Sequence, residues 1–569
     1  MRAINLKKMP FTRRGSYMVL SDVRENYQGN KNEAGLYLRT IHNSVITPLV
    51  AKITLQEDGK EMEAASYLKH AALIFSGKLS QIECCFADED TILIRGSKNT
   101  GICLDFLTDN GPYDYIYEVE DDGRILYMAN CYKNNNRYLV WLQEGYCTLE
   151  QKWEESSSLY SRLRIEGDEG FFCIVKEIET EWDKKTEFYD YEAARKKTEE
   201  DFLDFYSKMP EMNRKYEEMG YMASFLNWSS IVRPDGFLKR EAMYMSKNWM
   251  TNVWSWDNCF NALALSYKNP SLAWDTYIIM ADFQDISGRI PDSVSDNHII
   301  WNYCKPPVHG WALQKMMENM ELSKEQMEEA FCFLERWTNW WIKYRRKDGL
   351  FYYNHGNDSG WDNSTVFSVL PPVATPELQA DMIIQMQVLA NLAERLGKTE
   401  EMKKWDEEAK KHKELFFEKC FRNNLPVAIQ CSTGEIVENE SLLPYEILIL
   451  GMQLPKKIRD AVISVVKSEK FFTEYGFATE NPSSVMYRSD GYWRGPIWAP
   501  STMLLIDGLN KCGAKEIATQ AAERFVNMVS KNGFAENFNA LTGEGLRDLA
   551  HTWTASVAIV LVKEYLYDI

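Results

Sequence analysis

The sequence predicts an antiparallel β-sandwich followed by an (α/α)6 barrel, a toroid of six helical hairpins. Three features lead there. Residues 1 to about 185 form short, often alternating apolar runs divided by Gly, Asn and Asp clusters. From Met212 to the end, one helical pattern follows another. The connections between those helices alternate between short and long.

The strand-like runs are Ser16–Leu20, Gly35–Thr40, Val45–Leu55, Ala71–Phe75, Thr91–Arg95, Ile102–Phe106, Arg124–Met128, Arg137–Leu142 and Gly170–Ile178. Turn clusters separate them: Gln28-Gly-Asn30, Asp109-Asn-Gly111, Asp121-Asp-Gly123 and Lys133-Asn-Asn-Asn136. Many short strands at this spacing fit a sandwich. No constellation here demands chemistry, and Asp22, Arg24 and Tyr27 read as surface turn residues. The charged stretch Glu187 to Tyr206 has a helical pattern, which Pro210 ends. Residues 1–185 are therefore read as the sandwich, 186–210 as a linker helix and 211–569 as the barrel.

The barrel helices are read at 212–229, 256–268, 270–285, 308–320, 323–346, 376–397, 400–420, 441–452, 455–468, 498–511, 514–531 and 550–567. Each even-to-odd connection is short: Asn269-Pro270, Leu322-Ser323, Gly397-Lys398, Leu454-Pro455 and Cys512-Gly513. Each odd-to-even connection is long and, except for the plain stretch Asn423 to Asn439, rich in Trp, Gly, Asp or Arg. Hairpins of that kind place all the long connections at one end, and function gathers on loops held by a rigid scaffold.

Bulk properties narrow the function. The net charge is −18, without a long Lys/Arg run, which argues against nucleic acid and anionic membranes as partners. No apolar run is long enough for a membrane-spanning helix, and the first residues lack the apolar core of a signal peptide. The 12 cysteines are scattered without a CxxC pair. Most sit in apolar runs, such as Cys173 and Cys332, and read as buried thiols of a cytoplasmic protein. No metal motif or ordered calcium ligand series is present, and no cofactor is expected.

Of 18 tryptophans, 15 lie beyond residue 200. Trp337, Trp340 and Trp341 fit a helix interior. Trp254, Trp256, Trp301, Trp311, Trp361, Trp493 and Trp498 fall in or beside the long loops. Flat rings next to Asp and Arg suit a sugar, whose CH faces stack while its hydroxyls pair with charged groups. The loop His355-Gly-Asn-Asp-Ser-Gly-Trp-Asp-Asn-Ser-Thr365 carries Asp358 and Asp362, with Trp361 against the second. A carboxyl beside an indole can hold a proton near neutral pH. The last loop carries Glu536 and Glu544. Glycoside hydrolysis needs two carboxyls on opposite sides of the sugar. Asp362 and Glu536 are the leading pair, with Asp358 and Glu544 as rivals. Asp257 and Asp292 read as hydroxyl ligands or loop braces. A sugar epimerase working through His298, His309, His355 or His551 is an alternative, as is a carbohydrate-binding protein without catalysis.

Five motifs, in order, resemble the glycoside hydrolase family 63 and trehalase group across roughly residues 245–560. They are Trp256-Asp257, Gly288-Arg-Ile-Pro-Asp292, Ser359-Gly-Trp-Asp-Asn-Ser364, Tyr492-Trp-Arg-Gly-Pro-Ile-Trp498 and Glu536-Asn-Phe. The resemblance implies an inverting α-glycosidase on an (α/α)6 barrel, with Asp362 as general acid and Glu536 as general base. It implies a small carbohydrate substrate, an α-linked glucoside or similar glycoside. Mannosylglycerate and glucosylated disaccharides are substrates of bacterial relatives. Trp256, Asp257, Gln284, Arg289, Trp311, Asp358, Trp361, Trp493, Arg494 and Trp498 are the expected substrate-binding residues. The chain departs from the family at Asp358 and Phe538, where Glu and Tyr are frequent, and both bear on the sugar.

Overall fold

A computed structural model describes residues 2–42, 48–69, 71–107, 111–178, 180, 182–183 and 185–567. It divides into two compact units. One is Met1–Ser207 with Trp228–Thr251 and Asp296–His298. The other is Lys208–Asn227 with Asn252–Ser295 and Ile299–Ile569.

The first unit holds two antiparallel sheets. The larger runs Arg2–Ala3, Ala65–Lys69, Ala72–Ser76, Gln81–Phe86, Thr91–Gly96, Phe171–Ile178, Asn136–Glu144, Arg124–Cys131, Tyr115–Asp121. The other runs Tyr146–Glu154, Ser157–Glu166, Thr100–Phe106, Leu49–Glu57, Gly35–Thr40, Met18–Val23, with Lys60–Glu61 paired to Leu49–Glu57. Asp122 and Gly123 both take positive φ, 50° and 74°. That is the two-residue turn whose twist suits a hairpin, and it joins Tyr115–Asp121 to Arg124–Cys131. Leu93, Leu126, Leu139, Trp141 and Ile174 of the larger sheet cluster with Trp182 and Tyr191. Tyr191 begins the helix Tyr191–Ser207 in the stretch read as a linker.

Five longer strands escaped the sequence pattern: Ala65–Lys69, Gln81–Phe86, Tyr115–Asp121, Tyr146–Glu154 and Ser157–Glu166. Several are charged and partly exposed, so alternation is masked. The start of the Val45–Leu55 run and Asp109-Asn110 of one turn lie outside the described residues. Tyr27 is no surface turn residue. It is buried, and its hydroxyl donates to the Asn248 carbonyl at 2.6 Å.

The second unit is helical. Six elements form its interior: Asp257–Ser266, His309–Met316, Pro376–Arg395, Leu443–Gln453, Ala499–Lys511 and Thr552–Leu561. Each packs on the next, and the last returns to the first. Thr552–Leu561 and Asp257–Ser266 are buried along their whole length, and their polar side chains bond one another, Asn261 Nδ2 donating to Thr552 Oγ1 at 2.9 Å and Ser556 Oγ to Asn261 Oδ1 at 2.8 Å. Lys324–Tyr344, Thr399–Lys419, Lys456–Val466 and Lys515–Asn532 bury one stripe and leave charged residues outside. Start signals are local. Pro376 sits in the first turn of its helix, where its missing N–H costs nothing. Ser323 and Gln326 close a capping box. The Leu443–Gln453 element is a 3-10 helix broken at Gly451 (φ 57°), a departure from the regular helix read at 441–452. Cys332 also departs from expectation, being exposed on Lys324–Tyr344. No helix among the described residues is long and apolar enough to cross a membrane.

The long loops are tied together by short antiparallel pairings. Val253–Trp254, Ser293–Val294 and Ile299–Ile300 join the first and second. Val373–Ala374 and Ile429–Gln430 join the third and fourth. Ile497–Trp498, Asn537–Phe538 and Gly545–Leu546 join the fifth and sixth. Asn363 links the third to the fifth: its Oδ1 accepts from the Trp493 N–H at 2.9 Å, and its Nδ2 donates to the Gly491 carbonyl at 3.0 Å.

Candidate active site

Glu536 sits immediately before its strand pair. Its N–H donates to the Asp548 carbonyl at 2.6 Å, and its own carbonyl accepts from Trp553 Nε1 at 3.2 Å. The side chain is buried. Burial first, then the charge of Asp548, pushes its pKa up to about 8, against the Tyr492 hydroxyl bond and Arg547. Asp362 lies two residues after Gly360, which takes φ 74°. A Cβ at Gly360 would stand 2.5 Å from the Trp256 ring, so the turn under Asp362 requires glycine. The Asp362 side chain keeps 28% of its surface exposed. Burial raises its pKa, while Lys305 and His355 pull it down.

Tyr492 is electrostatically coupled to both acids: burial first, then the charges of Glu536, Asp362 and Asp257, push its phenol pKa up. Its backbone is left-handed, φ 63°, unusual for an aromatic residue and typical of strain kept at working sites. Arg547, with φ 65°, covers the Tyr492 ring at 5.7 Å and pairs with Asp490 at 2.7 Å.

Lys305 is the buried cation of the site. Its Nζ lies 3.3 Å from Asp292 Oδ1 and 4.0 Å from Asp362 Oδ1. It also donates to the Asn357 carbonyl at 2.9 Å and to Asn357 Oδ1 at 2.5 Å. Burial pulls its pKa down, but Asp292, Asp362 and Asp257 outweigh that and leave it raised. Asp257 and Asp292 are themselves buried and pushed upward, first by burial, with Lys305 opposing.

Several of the expected sugar ligands make internal bonds. Asp358 accepts from Arg345 at 2.8 Å, the Cys304 N–H at 3.1 Å and the Asn354 N–H at 3.0 Å. Gln284 donates to the Gly288 and Phe333 carbonyls. Arg289 donates to the Trp301 and Tyr303 carbonyls and stacks on Trp340. Trp311 is fully buried and donates to Asp507 at 2.7 Å. Trp498 is buried, donates to the Tyr492 carbonyl and stacks on Trp493 at 3.9 Å and 7°. Trp361 lies 4.6 Å from Trp493, and Trp256 lies 6.2 Å from it. These indoles are at most 3% exposed. They form a packed aromatic bed in which Trp493 and Trp498 lie face to face, while the Trp361–Trp493, Trp256–Trp493 and Trp311–Phe260 contacts are tilted. Arg494 holds the Asn363 carbonyl through Nε at 2.6 Å.

Burial keeps His309 and His551 neutral, with pKa values lowered to about 4 and about 3. Among the described residues, no three His, Cys, Asp or Glu side chains are grouped to hold a metal. The sequence reading missed Lys305 and Tyr492. Tyr492 stood inside a recognised motif without a role, and Lys305 carried only the hint of a charge between Tyr303-Cys304 and Pro306-Pro307.

Residues 250–554 match the model of the mannosylglycerate hydrolase MGH1-like glycoside hydrolase domain. The chain belongs to this family. It is a glycoside hydrolase, and nothing supports the epimerase or binding-protein alternatives. The chain is also similar to named hydrolases at low identity. The glucosylglycerate hydrolase of Mycolicibacterium hassiacum is 23% identical over 408 residues, 54% of this chain and 91% of that protein. The mannosylglycerate hydrolase of Rubrobacter radiotolerans is 22% identical over 402 residues, 55% and 90%. A bacterial glucoamylase complexed with acarbose aligns over 99% of this chain and 94% of its own, with a TM-score of 0.65 at 13% identity. The family 63 mannosylglycerate hydrolase of Thermus thermophilus, in complex with Tris and D-glycerate, aligns over 60% and 98%, with a TM-score of 0.51 at 17% identity. These two likenesses concern the fold alone.

Proposed function

We propose that the protein is an inverting hydrolase of small α-linked glycosides, with Asp362 and Glu536 as the reacting pair on an (α/α)6 barrel preceded by a β-sandwich. The closed circuit of six interior helices supports the barrel. The observation that carries the site is the tie between the two loops: Asn363, next to Asp362, bonds Gly491 and Trp493 of the fifth loop, and Ile497–Trp498 of that loop pairs with Asn537–Phe538, next to Glu536. In this reading Asp362 protonates the leaving oxygen. Glu536 takes a proton from the water that attacks the anomeric carbon on the opposite face. Such a pair stands about 6.5–9.5 Å apart. Hexosyl glycerates, the substrates named for the two relatives above, head the substrate classes to try.

One observation favours a second reading with the roles exchanged. Glu536 is the carboxyl pushed up to about 8, while Asp362 has Lys305 beside it to favour its ionised form. A proton donor near 8 at Glu536, and an Asp362 whose rise by burial is opposed by the ammonium beside it, suit an acid at 536 and a base at 362.

The test has two steps. A panel of glucosylglycerate, mannosylglycerate, glucosylglycerol, trehalose, maltose and aryl α-glycosides is assayed, with proton NMR of the first-formed anomer. Asp362→Asn and Glu536→Gln are then compared on an aryl glycoside whose leaving group departs without a proton. The variant lacking the acid keeps turnover on that substrate, and the variant lacking the base loses at least a hundredfold. Near-normal turnover of either variant on an unactivated glycoside removes that residue from the pair. A retained anomer removes the inverting mechanism.

A further inference from the structure

The proposed hydrolysis gives no role to Lys305, which precedes Pro306-Pro307. Lys305 is 5% exposed. A buried ammonium is expensive unless it is bonded and paired. Asn357 accepts two hydrogen bonds from it, and Asp292 Oδ1 pairs with it at 3.3 Å without taking one. Asp362, at 4.0 Å, receives its field without taking a bond. The cation therefore belongs to the second loop, is anchored to the third, and acts on an acid five residues beyond its anchor.

We propose that Lys305 is a positioning residue for the hydrolysis: it fixes the third loop through Asn357 and sets the charge balance of the acid cluster in which Asp362 works. This rests on the reading of Asp362 as one of the reacting pair. It holds for either assignment of acid and base, because the field of Lys305 favours the ionised form of Asp362 in both. Burial alone would leave Asp362 holding its proton too tightly to give it up. The ammonium opposes that, as the downward pull of Lys305 on Asp362 indicates. The other groups facing Asp362 are Asp292, His355 and Tyr492, and Asp257 shares the cation. Glu536 takes its character from burial, Asp548, Tyr492 and Arg547.

The experiment is the pH dependence of kcat/KM for the full chain and its variants on the best substrate of the panel. Lys305→Gln is expected to lower kcat/KM at least tenfold and to move one limb of the profile upward by about one pH unit or more, leaving the Glu536 limb in place. Lys305→Arg keeps the charge and should keep both limbs. Asp292→Asn removes a competing anion and should move the same limb downward, a shift of opposite sign that remains measurable if the glutamine variant does not fold. Limbs that stay fixed in Lys305→Gln or in Asp292→Asn overturn the proposal. Asp362→Asn is assayed alongside. Its full activity would remove the reading of Asp362, whereas its inactivity together with fixed limbs removes only the role of Lys305.

Discussion

Glu536→Gln should make the protein more stable, and by an amount that depends on pH. The native carboxyl is buried and pushed from 4.5 to about 8. Its folded pKa therefore lies above the unfolded one. The native state keeps a proton that the unfolded chain releases, so the associated stability is complete below about pH 4.5 and is lost as pH rises through about 8. That interval, at about 1.4 kcal/mol per pH unit, comes to about 5 kcal/mol between the acid and alkaline plateaus and about 3 kcal/mol at pH 7. Glutamine has nearly the same shape and does not titrate. The variant should match wild type near pH 4.5, exceed it by about 3 kcal/mol at pH 7, and gain no more above about pH 9. Urea unfolding followed by tryptophan fluorescence at those pH values provides the assay. A stability difference that does not change with pH, or a variant weaker than wild type in alkali, would refute the account of Glu536 as a carboxyl held protonated by burial.

Two further substitutions probe the loop that carries Asp362. Asp358→Ala strips Arg345 of its buried partner and leaves the Cys304 and Asn354 N–H groups without their acceptor. A loss of about 3–5 kcal/mol is expected, read as a lower urea midpoint, and a stability within about 1 kcal/mol of wild type would contradict the bracing role. Gly360→Ala forces a left-handed alanine whose Cβ meets the Trp256 ring at 2.5 Å. It should lower kcat/KM at least tenfold by displacing Asp362, and an alanine variant with wild-type turnover would show that the turn tolerates movement.

Much of the helical unit was legible because its signals are local. Pro376, the Ser323 capping box and the short hairpin connections each mark a helix end without reference to anything distant. The strands were harder. Tyr115–Asp121 carries Glu118 and Glu120, and Tyr146–Glu154 carries Glu150, Gln151 and Lys152, so exposed polar residues break the apolar pattern a strand would show. At the site, motif chemistry picked out Asp362 and Glu536. It assigned Asp358, Gln284, Arg289, Trp311 and Trp498 to the sugar, and their internal bonds were not legible from residue type. Residue type shows that an Asp or Trp can bind a sugar. Whether its polar atoms are already taken depends on partners as far away as Asp507 for Trp311. Lys305 was missed for the same reason, since its three acidic neighbours converge from separate loops.

The paired segments around the rim also constrain how this catalyst can be remodelled. Each connection supplies one or two strands of a miniature sheet whose remainder belongs to a different connection. Transplanting one of them from a relative would leave its partner strand with unmatched backbone donors. Altered selectivity is therefore better sought by exchanging individual side chains, or by grafting two mated segments together.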